Sequence, residues 1–375
     1  MNIGLPKEIL EGENRVAMFP QEIKKFIDKG IAFNIESNYG AGSNISDQEY
    51  IDIGANIISD IFTCSELIIK INPPNDTEVN KLKENTSLIS LINPFINHNL
   101  VNQLMNNNIS TFCLELIPRS TYAQAMDVLS SQATVSGYKA VLNAASHMGK
   151  FFPMLMTPAG TIKPAQVLVI GAGVAGLQAI ATANRLGAKV EAFDVRPAAR
   201  EQVESLGAKF LYMDLDDSAE DNSGYAIEMN DEFIRKEMEL LHDASKRADA
   251  IITTALIFGK QAPTLIKDYM VKDMQPGSCI IDLAAENGGN CDLTQPGKII
   301  NCHGIIIDGQ LNLPSHVPYH ASQMLSKNME KLLNEIIIDD KIIFDMDNDI
   351  IKGCLLTHER KIVHQMTKDI ISGEN

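Results

Sequence analysis

The chain has 375 residues, 45% of them hydrophobic and 21% charged, which is ordinary globular usage and predicts two to three domains that close without disulfides or metals. A formal net charge of −16 excludes nucleic acid and anionic membrane surfaces as partners, because no basic stripe is present to release counterions. The six cysteines show neither CxxC nor Cys/His zinc spacing, so reduced thiols and no metal centre are expected. The opening residues resemble no signal peptide, and no uncharged apolar run reaches about 18 residues, so a soluble chain without direct membrane insertion is expected.

In chain order, strands are predicted at 33–35, 67–71, 87–92 and 111–114, with helices at 21–29 and 97–106 between them. This alternation favours parallel sheets covered by helices. A helical stripe carrying Met126, Leu129, Tyr138, Val141, Leu142 and Ala145 runs from about 123 to 148 and stops at Gly149. A second βα series follows: strand 167–170, helix 174–186, strand 189–193, helix 199–206, then strands 250–253, 278–282 and 305–307. A helix at 321–335 returns to the first lobe. The fold expected is α/β: two doubly wound Rossmann-like domains with mostly parallel sheets and a cleft between them. The first domain would be discontinuous, 1–135 plus 322–375, and the nucleotide-binding one 136–321. The acidic stretch 213–231 breaks the pattern and reads as a long loop, either a lid or a disordered segment.

Gly171-Ala172-Gly173-Val174-Ala175-Gly176 directly follows an apolar strand and opens a helix. In such a GxGxxG, Gly171 permits the tight turn, Gly173 lets backbone approach a pyrophosphate, and Gly176 lets helix and strand pack closely. The helix N-terminus presents free N–H groups to phosphate. Asp194 ends the next strand 23 residues after Gly171, where a carboxylate meets ribose hydroxyls and repels a 2′-phosphate. NAD(H) is therefore expected over NADP(H), although Arg196 could in principle meet such a phosphate.

The segment 118–132 places Gln124, Asp127 and Ser130 three apart, on adjoining helical positions. It suits recognition of a carboxamide and an arginine–carboxylate contact; a solvated helix face fits the same pattern. No proton-transfer group stands out there. The eight histidines are scattered without a Ser or Cys partner motif, and no metal site is expected.

The stretches PRSTYAQAMDVLSSQATVSGYKAV, VLVIGAGVAGLQAIATANRLGAKVEAFDVRPAAREQVESLGAKF, SGYAIEM and ITTALIFGKQAPTLI resemble the NAD(H)-binding component of proton-translocating nicotinamide nucleotide transhydrogenases. The opening GLPKEILEGENRVAMFP and NLPSHVPYHASQMLSKNM fit the same pattern. The resemblance implies direct hydride transfer between NAD(H) bound here and NADP(H) on a partner subunit, coupled to proton translocation by a membrane-spanning subunit. It further implies a homodimer, cytoplasmic and peripheral to the inner membrane, present as a separate subunit or an excised domain. Arg119, Gln124, Asp127 and Ser130 would then hold the nicotinamide and its ribose. Val174, Asp194, Val195 and Arg196 would line the pyrophosphate and adenosine ribose, with Gly224, Glu237 and Leu256 completing the site. Tyr225 would sit on a loop closing over the nucleotide. Glu237 departs from the neutral amide of the family pattern.

Alanine dehydrogenases resemble the chain as well, but their chemistry needs a lysine and a histidine in the first lobe. Asn72 and Asn93 stand at those positions, and an amide is neither acid nor base near neutral pH. Arg15 is retained, and Lys70 lies two residues from Asn72 as a conceivable substitute. A third possibility is a non-catalytic NAD(H) sensor.

Overall fold

The computed structural model describes residues 1–212, 231–256 and 261–373. The chain divides into two units, Met1–Gln132 with Pro314–Asn375, and Ala133–Leu313. The crossings differ from the expected 135/136 and 321/322 for a local reason. Ser315 Oγ donates to Gly12 O at 2.7 Å and accepts from Asn14 N at 2.6 Å, so the segment before residue 322 packs with the first unit. Gln132 is likewise held there, by Arg15 Nη1 at 2.9 Å.

The first unit has an eight-stranded sheet in the order Lys361–Ile362, Leu355–His358, Ser110–Cys113, Ser87–Ser90, Leu67–Ile69, Asn2–Leu5, Ala32–Ile35, Asn56–Ile57. The last six are parallel; Leu355–His358 runs antiparallel to Ser110–Cys113. The chain turns back across the sheet between Asn2–Leu5 and Leu67–Ile69, the switch point at which doubly wound sheets carry ligands. Four of these strands escape sequence periodicity: Asn2–Leu5, Leu355–His358 and the two-residue Asn56–Ile57 and Lys361–Ile362. Asn2–Leu5 is four residues cut short by Pro6, yet it is central and buried from Ile3 to Leu5. Leu355–His358 arrives with the returning chain, so more than a helix comes back.

The second unit has a seven-stranded sheet in the order Lys209–Phe210, Lys189–Phe193, Gln166–Ile170, Ala250–Thr253, Cys279–Asp282, Ile305–Asp308, Ile299–Cys302. Of these strands only Ile299–Cys302 is antiparallel. Successive residues of a strand face opposite sides, and here both sides are covered. Val167 and Val169 join one core with Ala140, Val141 and Ala144, while Leu168 and Ile170 join another with Leu241 and Ala244. Two-sided burial explains why these strands read as continuous apolar runs instead of alternating ones.

The expected helix from 123 to 148 is broken. Residues Ala123–Met126 form a 3-10 turn, Asp127 is extended with ψ 92°, and the α-helix spans Val128–His147. Among the described residues no helix is long and apolar enough to cross a membrane.

Candidate dinucleotide site

The glycine turn leaves strand Gln166–Ile170 at the second unit's switch point and enters helix Val174–Arg185. Each glycine can be tested by asking what a Cβ would meet. At Gly171, with φ +95°, it would lie 2.5 Å from Thr254 Oγ1; at Gly176 it would lie 1.9 Å from the Gly171 carbonyl oxygen. Both positions are closed by the protein itself. At Gly173 a Cβ would meet nothing within 4 Å, so the fold does not need glycine there, and a group approaching from outside would. Gly173 caps the helix with no side-chain hydrogen bond, which leaves the first-turn N–H groups to a phosphate.

Asp194 follows the neighbouring strand. Its carboxylate accepts from Ala172 N at 2.7 Å, Arg196 N at 2.9 Å, Arg196 Nε at 2.9 Å and Arg196 Nη2 at 3.0 Å. Burial alone would push this carboxyl up. The hydrogen bonds from Arg196 and Ala172, together with the Arg196 charge, outweigh it and hold the group below its usual range. Arg196 is thus tied to Asp194 and is not held toward a 2′-phosphate. Val174, Val195 and Leu256 stand after three adjacent strands, and all three are exposed. They thus follow the carboxyl ends of adjacent strands, the edge of an open α/β sheet at which ligands bind.

Glu237 is buried on helix Asp231–Ser245, and burial raises its carboxyl. The hydrogen bonds of Asp194 go to Arg196 and Ala172, and none joins it to Glu237. Gly224, Tyr225 and residues 213–230 of the expected loop 213–231 lie outside the described residues, and Asp231 opens helix Asp231–Ser245.

In the first unit the Asp127 carboxylate accepts from Ser130 N at 2.9 Å and Ser130 Oγ at 2.6 Å. Asp127 therefore caps the helix by accepting from Ser130 in its first turn, which is the physical reason the helix starts at Val128. Gln124 and Arg119 are exposed. Among the described residues no ion pair joins Arg119 to Asp127, so the arginine–carboxylate contact expected from sequence is not made within the chain. Two devices missed from sequence steady this segment: Asn328 Nδ2 donates to Ala125 O at 2.8 Å, and Gln132 Nε2 to Ala321 O at 3.1 Å.

The residues that an amino-acid dehydrogenase would use are otherwise engaged. Arg15 bonds Glu13 with Nε at 2.8 Å and Nη2 at 2.6 Å, besides Gln132, so its fork is filled. Lys70 is buried, 2.6 Å from Glu78 Oε1 and 3.9 Å from Glu8 Oε2. Asn72 Nδ2 bridges Glu8 Oε2 at 3.1 Å and Glu13 Oε2 at 3.0 Å. Asn93 sits at φ +53° with its N–H 2.6 Å from Glu115 Oε1. Glu8 is pushed up by burial, against the pull of Lys70. For Glu13 burial is outweighed by the Arg15 hydrogen bonds and charge and by Asn72, which bring it down to about 2.

The fold and the glycine turn define a dinucleotide-binding protein built from two doubly wound units. The family models for the alanine dehydrogenase/PNT N-terminal and C-terminal domains match residues 4–136 and 140–365. The chain is 43% identical, over 97% of its length and 98% of the relative's, to the first portion of NAD(P) transhydrogenase subunit alpha of Rhodospirillum rubrum. The crystal structure of transhydrogenase from Sinorhizobium meliloti superposes with a TM-score of 0.86 at 37% identity, covering 98% of this chain and 100% of that one. An L-alanine dehydrogenase structure gives 0.83 at 23% identity over the full length of both chains, a likeness of fold. The chain belongs to the alanine dehydrogenase/PNT family, on the side of the transhydrogenase alpha subunits.

Proposed function

We propose that this chain is the NAD(H)-binding component of a proton-translocating NAD(P) transhydrogenase. Hydride would pass directly between NAD(H) bound here and NADP(H) on a partner subunit, and a membrane-spanning subunit would couple that step to proton movement. The observation that carries the reading is the pairing of an intact dinucleotide turn with a first unit in which amides stand at the dehydrogenase positions and the neighbouring Lys70 and Arg15 are held in buried ion pairs. Lys70 is sealed under Glu78, Arg15 is filled by Glu13, and amides stand at 72 and 93. A hydride exchanged between two nicotinamides releases no proton, so it asks nothing of these residues.

When bound, the dinucleotide supplies the redox chemistry; the chain binds and orients it. The N–H groups after Gly173 would hold the pyrophosphate and Asp194 the adenosine ribose, with Val174, Val195 and Leu256 as apolar walls. Arg119, Gln124, Asp127 and Ser130 would hold the nicotinamide end, and Gly224, Tyr225 and Glu237 would complete the enclosure. A homodimer is supported by the hairpin Leu155–Thr157 and Gly160–Ile162, where Met154, Met156 and Ile162 are exposed at 57%, 77% and 43%. Apolar surface of that kind marks an association site.

The test follows NADH oxidation by absorbance with pyruvate and ammonium, and then measures NAD+ and NADPH formation by chromatographic separation of the nucleotides with an NADP-loaded transhydrogenase partner domain, because NADH and NADPH absorb alike. Turnover only in the second assay is expected. Turnover in the first would make the chain an amino-acid dehydrogenase. NADH binding without turnover in either would make it a sensor.

A further inference from the structure

The segment Ile281-Asp282-Leu283-Ala284-Ala285-Glu286-Asn287-Gly288-Gly289-Asn290 is used by nothing above, and it contains a dense buried hydrogen-bond knot. Asp282 ends strand Cys279–Asp282 and is 1% exposed. Its Oδ1 accepts from Thr253 Oγ1 at 2.9 Å and Ala284 N at 3.0 Å. Its Oδ2 accepts from Asn290 N at 2.8 Å, Cys291 N at 3.1 Å and Thr294 Oγ1 at 2.6 Å. Among the described residues these donors surround the carboxylate without a paired cation, so both its oxygens are satisfied by hydrogen bonds alone. Gly288 and Gly289 make it possible. Both have positive φ, and a Cβ at Gly289 would stand 2.8 Å from Asp282 Oδ2.

The knot seats Asn290, which is fully buried. Asn290 Nδ2 donates to Ala255 O at 2.9 Å and Pro263 O at 2.8 Å, and its Oδ1 accepts from Ala255 N at 3.0 Å. One amide therefore grips the backbone of Ala255 on both its N–H and its carbonyl, as a neighbouring strand would. Ala255 follows Thr254, whose Oγ1 donates to the Gly171 carbonyl at 3.0 Å. The same hydroxyl oxygen is what would obstruct a Cβ at Gly171, and it would lie 3.2 Å from one at Gly176. A continuous line of contacts thus runs from Asp282 through Asn290, Ala255 and Thr254 to the turn that faces the pyrophosphate.

We propose that Asn290 and Thr254 are positioning residues for pyrophosphate binding: Asn290, seated on Asp282, fixes the Thr254–Ala255 backbone, and Thr254 sets the height of the glycine turn. The inference rests on the proposed dinucleotide site. It differs from a merely structural role because it acts on one part of the ligand. Adenosine reaches only the Asp194 side of the site, whereas ADP brings phosphates against the turn. Loosening the turn should weaken ADP and NADH and spare adenosine.

The experiment measures binding of NADH by fluorescence, and of ADP and adenosine by NMR titration, in the full chain and in Thr254→Val, Thr254→Ser and Asn290→Asp. Thr254→Val should weaken ADP and NADH about tenfold, the scale of one lost buried hydrogen bond, with adenosine changed less than about twofold. Thr254→Ser, which keeps the hydroxyl, should restore binding, and Asn290→Asp should follow Thr254→Val. Unchanged ADP affinity in Thr254→Val, or equal losses for ADP and adenosine, overturns the inference. Thr254→Val decides the matter even if Asn290→Asp does not fold. A wild-type chain that binds neither NADH nor ADP would overturn the dinucleotide site itself, and the inference with it.

Discussion

Substituting Gly173 by alanine separates a ligand requirement from a folding requirement within a single turn. The backbone at Gly173 has φ −76°, which any residue adopts, and a Cβ there meets no protein atom within 4 Å. Losing glycine as the helix cap costs about 0.5–1 kcal/mol, while the less flexible unfolded chain returns about 0.4–1 kcal/mol. The terms nearly cancel, so the melting temperature of the free protein should move by no more than about 2 °C. A methyl group forced against a bound pyrophosphate is overpacking, which costs about 1–3 kcal/mol, or about 5- to 150-fold in NADH affinity. Gly176→Ala should behave in the opposite way, because its Cβ would lie 1.9 Å from the Gly171 carbonyl oxygen, a backbone clash that damages the fold with or without nucleotide. The assay is a thermal melt of each variant with and without NADH. At a hundredfold excess over Kd the wild type gains about 2.7 kcal/mol, or about 5–10 °C in a domain of this size. Gly173→Ala should keep the free melting temperature and lose much of that shift. A Gly173→Ala variant that binds NADH as the wild type does would refute the placement of the pyrophosphate.

Other predictions concern single carboxylates. Asp127→Asn keeps a good helix cap, whereas Asp127→Ala should cost about 1 kcal/mol of stability. Under the proposed function both should reduce turnover with the partner domain far more than NADH affinity, and equal losses would count against a role at the nicotinamide. Asp194→Asn removes a charge and frees Arg196. NADH binding should fall about 10- to 150-fold, the scale of a charged hydrogen bond, and the NADPH-to-NADH affinity ratio should rise; an unchanged ratio would show that Asp194 does not exclude the 2′-phosphate. Glu13 is held at about 2, below its ordinary 4.5, so the stability it contributes is complete above about 4.5 and fades as pH falls toward 2. Glu13→Gln should therefore be less stable by about 3 kcal/mol near neutrality, with the gap in urea midpoint closing at acid pH. A gap independent of pH would mean the Glu13–Arg15 pair is not what stabilises this corner.

What the sequence disclosed depended on how local each feature is. The glycine turn is legible because strand, turn, helix and the next strand's Asp194 lie within one βα unit, and each element has its own period or breaker. The cap at Asp127 was hidden because polar residues three apart fit a continuous helix face as well as a cap and first turn. Only the extended ψ of Asp127 and its two bonds to Ser130 distinguish them. Strand Asn2–Leu5 is too short for periodicity and is recognisable only from its two parallel neighbours. Thr254 and Asn290 were out of reach for a different reason. Thr254 acts on Gly171, 83 residues earlier, and an asparagine after two glycines reads as an ordinary turn until Asp282 is seen beneath it.

Under the proposed function, the first unit keeps its residues' charges without using them for acid–base chemistry. Glu8, Glu13 and Glu78 are gathered around Lys70 and Arg15 at the ends of central parallel strands, and Asn72 ties Glu8 to Glu13 with the two hydrogens of its amide. A lysine in place of Asn72 would bring a third cation to three carboxylates, and its ammonium would be drawn to Glu8 and Glu13 before any substrate. Restoring a keto-acid site would thus take more than the lysine. Arg15 would have to leave Glu13 and turn from its hydrogen bond to Gln132. The Glu13–Arg15–Gln132 line therefore holds Arg15 in contacts within the first unit and away from a substrate carboxylate. Under the proposed function, that arrangement suits a reaction whose rate depends on where the nicotinamide is held and not on a proton donor.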